Sequence, residues 1–341
     1  MSNHPIAFTL PAALLAVFMA VGPAAAQAPA GVFAGKTVNM IIGFGTGGGY
    51  DLWARVVARH IGRHLPGNPT VTPQNMEGAG SYRAANFIYN VAPRDGTSIA
   101  LIARDAPLGP LIGAPGAQFD ATKLSWLGTP AIETNVCIAY HTAAVKTFRD
   151  LLEQQLVVGD TGPGTGTRSY PKALNDILGT KFRIVGVYPS SADVFLAMER
   201  GEVQGICESL DSVRSRRPDW IASHQVSVLF QGAPQASPEL GGVPLARDLA
   251  RNEDERAAID FLYAGQGIGR PFAAPPNLPP EALKMLRDAF DATMIDSEFV
   301  ADVKRQKFDL DPTDGAGLAG LIDKIYATPK PIVEKVTALV N

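Results

Sequence analysis

The segment Thr37-Val-Asn-Met-Ile-Ile-Gly-Phe-Gly-Thr-Gly-Gly-Gly-Tyr-Asp51 joins a strand pattern to a helix pattern through a glycine-rich turn. The strand pattern covers Val38 to Ile42, and apolar residues at helical spacing continue to Leu65. Glycines let a ligand approach the main chain closely and let the backbone adopt positive φ. The first N–H groups of a helix have no partner within it and carry the positive end of its dipole. The segment therefore predicts an anion-binding site at the start of this helix.

A second glycine-rich loop, Gly159-Asp-Thr-Gly-Pro-Gly-Thr-Gly-Thr-Arg168, follows a short strand pattern that begins at Leu156. In open α/β sheets, ligands lie beyond the carboxyl ends of strands. Both glycine loops are placed at such ends, so we expect them to form two walls of one cleft. Strand and helix patterns alternate along the chain, which predicts an α/β architecture with mostly parallel sheets.

Residues 1–26 have the pattern of a secretory signal peptide. The apolar run from Ile6 to Val21 is too short to span a membrane comfortably. It ends at Ala24-Ala-Ala26, a small-residue cleavage pattern that Gln27 follows. The segment from Met1 to Pro5 departs from the pattern because it contains neither Lys nor Arg. We expect cleavage near Gln27 and export of the mature chain to the periplasm.

The charge composition and the cysteine count limit the kinds of partner and of fold that the chain can have. The 30 Lys and Arg residues nearly balance 33 Asp and Glu residues, with no polybasic block, which argues against nucleic acid or an anionic membrane as partner. The mature chain is long enough for two domains that share a cleft. Two cysteines, Cys137 and Cys207, are too few for a disulfide framework. They form either a single bridge or two small buried hydrophobic side chains.

Three segments follow in order: Gly43 to Asp51, Gln74-Asn-Met-Glu-Gly-Ala-Gly80 and Val91-Ala-Pro-Arg-Asp-Gly-Thr97. This order resembles the substrate-binding proteins of tripartite tricarboxylate transporters, the Bug receptor family. Similar segments continue to the end of the mature chain, at Gly164-Thr-Gly-Thr167, Val187-Tyr188, Gly201-Glu-Val203, Pro271 to Leu283, Asp296-Ser-Glu-Phe299 and Asp309-Leu-Asp-Pro312. The chain departs from the family pattern at three positions. The family usually has Pro near the start of the first loop and Thr or Ser before its Asp, where this chain has Gly43 and Tyr50. Its second loop usually continues into His, where this chain has Arg168.

The resemblance implies the type II periplasmic binding fold, in which two α/β lobes enclose a carboxylate ligand. It places one lobe at residues 27–134 and 231–341 and the other at 135–230, with crossover strands near Ile132–Tyr140 and Val226–Gln231 as hinges. It further implies a monomeric receptor, without catalytic residues, cofactor or metal, that delivers a small organic carboxylate to a tripartite tricarboxylate-type membrane transporter. A membrane sensor is the alternative recipient.

The two loops and the strand ends beside them supply the predicted ligand-binding residues. Backbone amides, hydroxyl groups and a guanidinium are donors for a carboxylate. Asp51 and Asp193 either cap their helices or contact the ligand, and Glu208 favours a ligand with a donor or positive group. The predicted residues are Phe44, Thr46, Gly47, Gly48, Gly49, Asp51, Arg104, Asp105, Thr165, Gly166, Thr167, Arg168, Asp193 and Glu208.

Two other classes compete with a receptor. Gly43-Phe-Gly-Thr-Gly-Gly48 also matches the dinucleotide fingerprint, but Asp51 would repel a pyrophosphate and the next acid, Glu77, follows at a longer spacing than the fingerprint has. A secreted α/β enzyme is the second alternative, although the chain has no G-x-S-x-G elbow. His60 and His64 have the spacing of metal ligands on a helix, yet their polar neighbours favour an ordinary solvated face.

Overall fold

The structure, a computed structural model, describes residues 1–2, 4 and 32–340. The apolar run and the cleavage site predicted near the N-terminus lie outside these residues. Within the described part of the chain, no helix combines the length and the apolar character needed to cross a membrane.

The described residues form strands and helices that alternate along most of the chain. The strands are β1 (Thr37–Ile42), β2 (Thr70–Asn75), β3 (Ser98–Leu101), β4 (Ser125–Thr129), β5 (Asn135–Tyr140), β6 (Leu156–Gly159), β7 (Phe182–Val185), β8 (Gly205–Ser209), β9 (Val226–Gly232), β10 (Phe272–Ala274) and β11 (Thr313–Asp314). The helices are α1 (Gly49–Ile61), α2 (Tyr82–Asn90), α3 (Phe148–Glu153), α4 (Gly166–Leu178), α5 (Ser191–Glu199), α6 (Leu210–Arg216), α7 (Glu253–Leu262), α8 (Gly265–Ile268), α9 (Pro280–Met294), α10 (Ser297–Arg305), α11 (Gly315–Tyr326) and α12 (Lys330–Val340).

The strands belong to two sheets, one for each lobe of the α/β fold. The first sheet has the order β11-β4-β10-β3-β1-β2, and the second has the order β7-β6-β8-β5-β9. The apolar residues of β1 are buried because helices cover the sheet, as parallel sheets require. Each glycine-rich loop follows a strand of a different sheet, β1 in the first and β6 in the second, as the sequence predicts.

The prediction of mostly parallel sheets is wrong. The pairs β1–β2, β1–β3, β6–β7 and β6–β8 are parallel. However, β10 runs antiparallel to β3 and β4, and β5 runs antiparallel to β8 and β9. The antiparallel strands β5 and β10 lie next to the places where the chain passes between the sheets. A strand that enters a sheet from the other lobe need not follow the direction set by the βαβ units.

The chain passes between the sheets at residues 130–134, after β4, and at residues 233–271, after β9. The predicted lobe boundary at residues 134 and 135 falls at the first passage. The predicted boundary at residues 230 and 231 falls inside β9, and we propose to place it after Gly232, where that strand ends. Strand β5 covers part of the predicted hinge segment Ile132–Tyr140, and β9 contains the predicted hinge segment Val226–Gln231. The two strands pair with each other in the second sheet.

Each sheet contributes its own buried apolar residues. Around the first sheet these include Trp53, Trp126 and Phe290, all with side chains at most 1% exposed. Around the second sheet, Phe195 packs edge-on against Trp220 at a ring distance of 5.5 Å. The larger cluster also includes apolar residues of the second sheet, such as Leu156 and Phe230, so apolar packing continues from one lobe to the other.

Cys137 and Cys207 form a disulfide, which decides between the two alternatives that the sequence leaves open. They lie directly opposite each other on the antiparallel pair β5–β8, and both are fully buried. A bridge in a chain predicted to be exported agrees with the oxidising environment of the periplasm.

Replacing Cys137 and Cys207 together by alanine is expected to lower the free energy of unfolding by about 2–4 kcal/mol, because the bridge closes a long loop in the unfolded chain. The two cysteines are 70 residues apart in sequence. Urea unfolding of the oxidised protein and the double variant measures the difference. Thiol titration of the protein, denatured without a reducing agent, tests the bridge separately. Two reactive thiols in that protein would contradict it.

Candidate ligand-binding site

A cavity lies between the two sheets, lined by residues of both glycine-rich loops. The cavity has a volume of about 30 Å³, which is enough for only a few water molecules. Nine of the predicted ligand-binding residues line this cavity: Phe44, Gly48, Gly49, Arg104, Asp105, Thr165, Gly166, Thr167 and Glu208. The remaining lining residues are Tyr50, Ala103, Asn135, Thr161, Tyr170, Ser190, Ser191 and Cys207.

Three helix N-termini converge on the cavity. They are those of α1 at Gly49, α4 at Gly166 and α5 at Ser191. The first N–H groups of each helix lack a partner within the helix, and each dipole places partial positive charge at this end. The arrangement favours a bound anion such as a carboxylate. The sequence predicts the first two of these termini but not the third, which follows a turn without a glycine loop.

The carboxylate of Asp51 holds the first loop in place and does not line the cavity. It accepts hydrogen bonds from the Gly47 N–H at 2.8 Å, Arg55 Nε at 2.9 Å and Asn75 Nδ2 at 2.8 Å. Burial acts to raise the pKa of Asp51, but the hydrogen bonds from Arg55, Asn75 and Gly47 outweigh it, so the pKa is lowered. Asp51 is the third residue of α1, whose N-cap is Gly48. Asp51 is therefore not the N-cap of α1, although it does fix the loop; ligand contact by Asp51 stays a prediction.

Two further predicted residues of the first loop lie outside the cavity. The Gly47 N–H is occupied by Asp51, and Gly47 has φ of 86°. The side chain of Thr46 is exposed, and its carbonyl oxygen accepts a hydrogen bond from Ser190 Oγ at 3.5 Å. Gly49 and Tyr50, which open α1, line the cavity, whereas Thr46 and Gly47 do not.

In the second loop, hydroxyl groups bond to one another at the cavity wall. Thr167 Oγ1 accepts a hydrogen bond from the Thr161 N–H at 2.9 Å and lies 2.8 Å from Thr165 Oγ1. Thr165 Oγ1 donates to the carbonyl oxygen of Gly162 at 2.7 Å. No side-chain hydrogen bond caps α4 at Thr165. These threonines shape the loop and present their hydroxyl oxygens beside the helix terminus.

Arg168 and Asp193, two further predicted ligand-binding residues, form hydrogen bonds to side chains of their own lobe. Arg168 Nε and Nη2 donate to Asp160 Oδ2 at 3.0 and 2.8 Å, and the Asp160 side chain is fully buried. Asp193 Oδ2 accepts a hydrogen bond from Ser190 Oγ at 2.7 Å, at the start of α5. Neither residue lines the cavity.

Beneath the first loop lies a buried group of charged side chains. Arg104, which lines the cavity, is 4% exposed; its Nη1 donates to Gln266 Oε1 at 2.8 Å and lies 3.2 Å from Glu133 Oε2. Arg270 donates to both oxygens of Glu133, at 2.6 and 3.2 Å. The Tyr50 ring lies over the Arg270 guanidinium, 4.2 Å from its centre, and the Tyr50 hydroxyl accepts from the Arg104 N–H at 3.0 Å.

Asp105 connects the two lobes. Its Oδ1 accepts a hydrogen bond from the hydroxyl of Tyr170 on α4 at 2.8 Å. Burial raises the pKa of Asp105 to about 6, although the charge of Arg104 and the hydrogen bonds from Tyr170 and the Gly166 amide oppose the rise. Gln266 Nε2 also donates to the Tyr170 hydroxyl, at 2.6 Å. Tyr170 therefore joins the wall of one lobe to polar groups of the other.

Asn135 lines the cavity but is not among the residues predicted from the sequence. It is the first residue of β5, it is 3% exposed, and its side-chain oxygen has no hydrogen-bond partner among the described residues. The available signal was a polar residue within the predicted crossover strand near Ile132–Tyr140. What the sequence does not show is that its partner strand β8 brings Glu208 to the same cavity.

The predicted solvated face at His60 and His64 is also corrected. His60 Nε2 lies 2.6 Å from Asp302 Oδ2, and His64 Nε2 lies 2.9 Å from Asp296 Oδ2, so this side of α1 pairs with α10. The hydrogen bond from His60 lowers the pKa of Asp302 to about 2. The side chains of His60, Asp296 and Glu298 lie close enough together to ligate one metal ion. However, the Arg63 guanidinium forms ion pairs with the carboxylates of Asp296 and Glu298. Ion pairs therefore satisfy these acids.

Known proteins share this architecture. No protein-family model matches the chain. A sequence relative, the UPF0065 protein in the gbd 5' region of Cupriavidus necator, is 23% identical over 324 residues, covering 89% of each chain.

Solved structures with the same fold include periplasmic binding proteins. BugD is 18% identical with a TM-score of 0.73, covering 90% of this chain and 99% of BugD. MatC of Rhodopseudomonas palustris, solved with bound malate, is 18% identical with a TM-score of 0.69, covering 88% of this chain and 98% of MatC. An R. palustris protein solved with adipate is 15% identical with a TM-score of 0.67, covering 88% of this chain and 97% of that protein. These likenesses confirm the resemblance indicated by the sequence: the chain has the two-lobed α/β fold of the Bug-type periplasmic binding proteins.

Proposed function

We propose that the mature chain is a periplasmic receptor that holds one small organic carboxylate between its lobes and returns it chemically unchanged. The observation that carries this proposal is the convergence of three helix N-termini on one cavity between the lobes. Oriented N–H groups and helix dipoles stabilise a carboxylate without supplying a nucleophile or a base. Solved proteins of this fold with malate and adipate bound add support.

Contacts between the lobes support a binding cycle of opening and closing. The Gly45 N–H donates to the carbonyl oxygen of Pro189 at 3.1 Å, and Tyr170 bonds to Asp105 and Gln266 across the same interface. The small cavity implies that a ligand enters an open form and that the lobes then close on it. Closure by hinge motion is typical of periplasmic binding proteins.

The proposal includes a partner and a route of export. The closed receptor would present its ligand to a membrane transporter of the tripartite tricarboxylate type, with a membrane sensor as the alternative recipient, and it would act as a monomer. Export would follow cleavage of residues 1–26, which N-terminal sequencing of periplasmic material tests. Recovery of the uncleaved chain in membranes alone would contradict this route.

A thermal-shift screen of carboxylates on residues 27–341 tests the binding function. A ligand that binds only the folded state stabilises it, by about 2.7 kcal/mol at a concentration one hundred times Kd. Calorimetric titration of each hit should give one site per chain, and mass spectrometry should recover the ligand intact. Conversion of the ligand to a product would favour the secreted enzyme instead, and absence of a shift across the panel would contradict a carboxylate receptor.

A further inference from the structure

We propose that the side chains of His60, Asp296 and Glu298 form a binding site for one divalent transition-metal ion such as Zn²⁺, between helices α1 and α10 of the first lobe. The site lies at the opposite end of α1 from the glycine-rich loop. With a rise of about 1.5 Å per residue, His60 is about 16 Å along the helix axis from Gly49. The inference goes beyond the receptor function and does not depend on it.

The first observation is the convergence of three ligand atoms. One ligand atom each from His60, Asp296 and Glu298 lie within 4.8 Å of one another. A point equally far from three atoms at that separation is about 2.8 Å from each, whereas zinc–ligand distances are about 2.0–2.2 Å. Shifts of less than about 1 Å would therefore complete the coordination. An imidazole nitrogen with two carboxylate oxygens is a donor set that Zn²⁺ accepts.

The second observation is the lone pair that His60 directs to this point. His60 is 7% exposed, and its Nε2 lies 2.6 Å from Asp302 Oδ2. An ionised carboxylate only accepts hydrogen bonds, so Nε2 carries the proton. Nδ1 lies 2.9 Å from Arg63 Nη2, which only donates. Nδ1 therefore has the free lone pair that a metal needs, and Asp302 fixes the ring as carboxylates do behind zinc-bound histidines.

The third observation is the fixed orientation of the Asp296 carboxylate. Asp296 is the N-cap of α10, and its Oδ1 accepts hydrogen bonds from the N–H groups of Glu298 at 2.9 Å and Phe299 at 3.2 Å. Its Oδ2 lies 2.9 Å from His64 Nε2. The Glu298 side chain is 73% exposed and free to adjust. Two ligands are thus held in place, and the third can move to meet a metal ion.

The Arg63 guanidinium shows that this point attracts a cation. It bonds to Nδ1 of His60 and forms ion pairs with Asp296 and Glu298, which are the same three side chains. The Arg63 side chain is 37% exposed, so it can turn outward, and exposed ion pairs contribute only about 0–1 kcal/mol. A divalent ion has twice the charge of the guanidinium and would bond directly to all three ligands. Arg63 is therefore a competitor for the site.

Calorimetric titration of untagged protein, residues 27–341, with ZnCl₂, MgCl₂ and CaCl₂ tests the inference. We expect one Zn²⁺ per chain, with Kd for Mg²⁺ and Ca²⁺ at least tenfold higher because these ions prefer oxygen ligands. Zn²⁺ should also raise the unfolding temperature, since an ion that binds only the folded state stabilises it. Binding of Mg²⁺ or Ca²⁺ as tight as that of Zn²⁺ would show that the imidazole is not a ligand and would overturn the proposal.

Two variants at exposed side chains assign the site. Glu298→Gln removes a charged ligand and should raise Kd for Zn²⁺ at least tenfold. Arg63→Ala removes the competing cation and should lower Kd at least threefold. Glu202→Gln, an exposed glutamate of the second lobe, is the matched control and should leave Kd unchanged. Unchanged Kd in folded Glu298→Gln protein, or no Zn²⁺ binding by either the unmodified protein or Arg63→Ala, would overturn the proposal and leave the receptor function standing.

Discussion

Replacing Gly48 by valine is expected to raise Kd for the bound carboxylate by well over tenfold while the chain stays folded. A Cβ atom at Gly48 would lie 3.1 Å from the Cβ of Ser190 and 3.2 Å from Ser191 Oγ, across the cleft. The branched side chain would extend further into the cavity and oppose closure of the lobes. Gly48 has φ of −77°, which valine can adopt, so the loop itself is not strained.

Gly320→Val is the matched control, because no heavy atom lies within 4 Å of a Cβ built at this exposed helical glycine. Calorimetric titration with the carboxylate that gives the largest thermal shift measures Kd, and circular dichroism checks folding. The control should bind as the unmodified protein does. Near-normal affinity in a folded Gly48→Val protein would mean that the ligand does not occupy this cavity.

Replacing Arg104 by methionine is expected to lower the free energy of unfolding by about 3–5 kcal/mol, the range found when one member of a buried ion pair is removed. Methionine keeps much of the volume but removes the charge beside Glu133 and Glu208 and the donor to Gln266. Glu133 would keep Arg270 as partner, so Glu208 would lose its nearest cation. Urea unfolding at neutral pH measures the change, with an unchanged m-value as the sign of two-state behaviour.

The control is Arg200→Met, since Arg200 is an exposed arginine whose nearest acid, Glu202, lies 3.9 Å away. Exposed ion pairs contribute about 0–1 kcal/mol, so this variant should unfold almost as the unmodified protein does. A loss for Arg104→Met no larger than for the control would contradict the view that Arg104 anchors the charged group beneath the cavity.

The parts of the fold with a strong local pattern were predictable from the sequence. The strand predicted at Val38–Ile42 differs from β1 by one residue, and β6 begins at Leu156, as predicted. The strand β10 escapes prediction because only three residues form it. Its position between β3 and β4 depends on contacts with residues far away in sequence. The direction of a strand is also not predictable from local sequence, because it depends on where the chain passes between the lobes.

At the candidate site, too, some features follow from local sequence and others from distant contacts. Gly48, Gly49, Gly166 and Thr167, which the glycine loops after strands pointed to as ligand-binding residues, line the cavity. Sequence reasoning could not decide which loop amide stays free, because the Gly47 N–H is taken by Asp51 four residues later. It also could not place Asn135, whose importance comes from a missing partner in the folded chain. Local pattern thus locates a loop at the cavity, while tertiary contacts decide which of its atoms remain free.

A crystal structure of residues 27–341 with the carboxylate that gives the largest thermal shift tests the receptor account most directly. We expect an intact ligand between the lobes, with its carboxylate on the N–H groups at Gly49 and Tyr50 and with Arg104 and Glu208 in the wall around it. A ligand bound elsewhere on the chain, or a reaction product in the cavity, would contradict it.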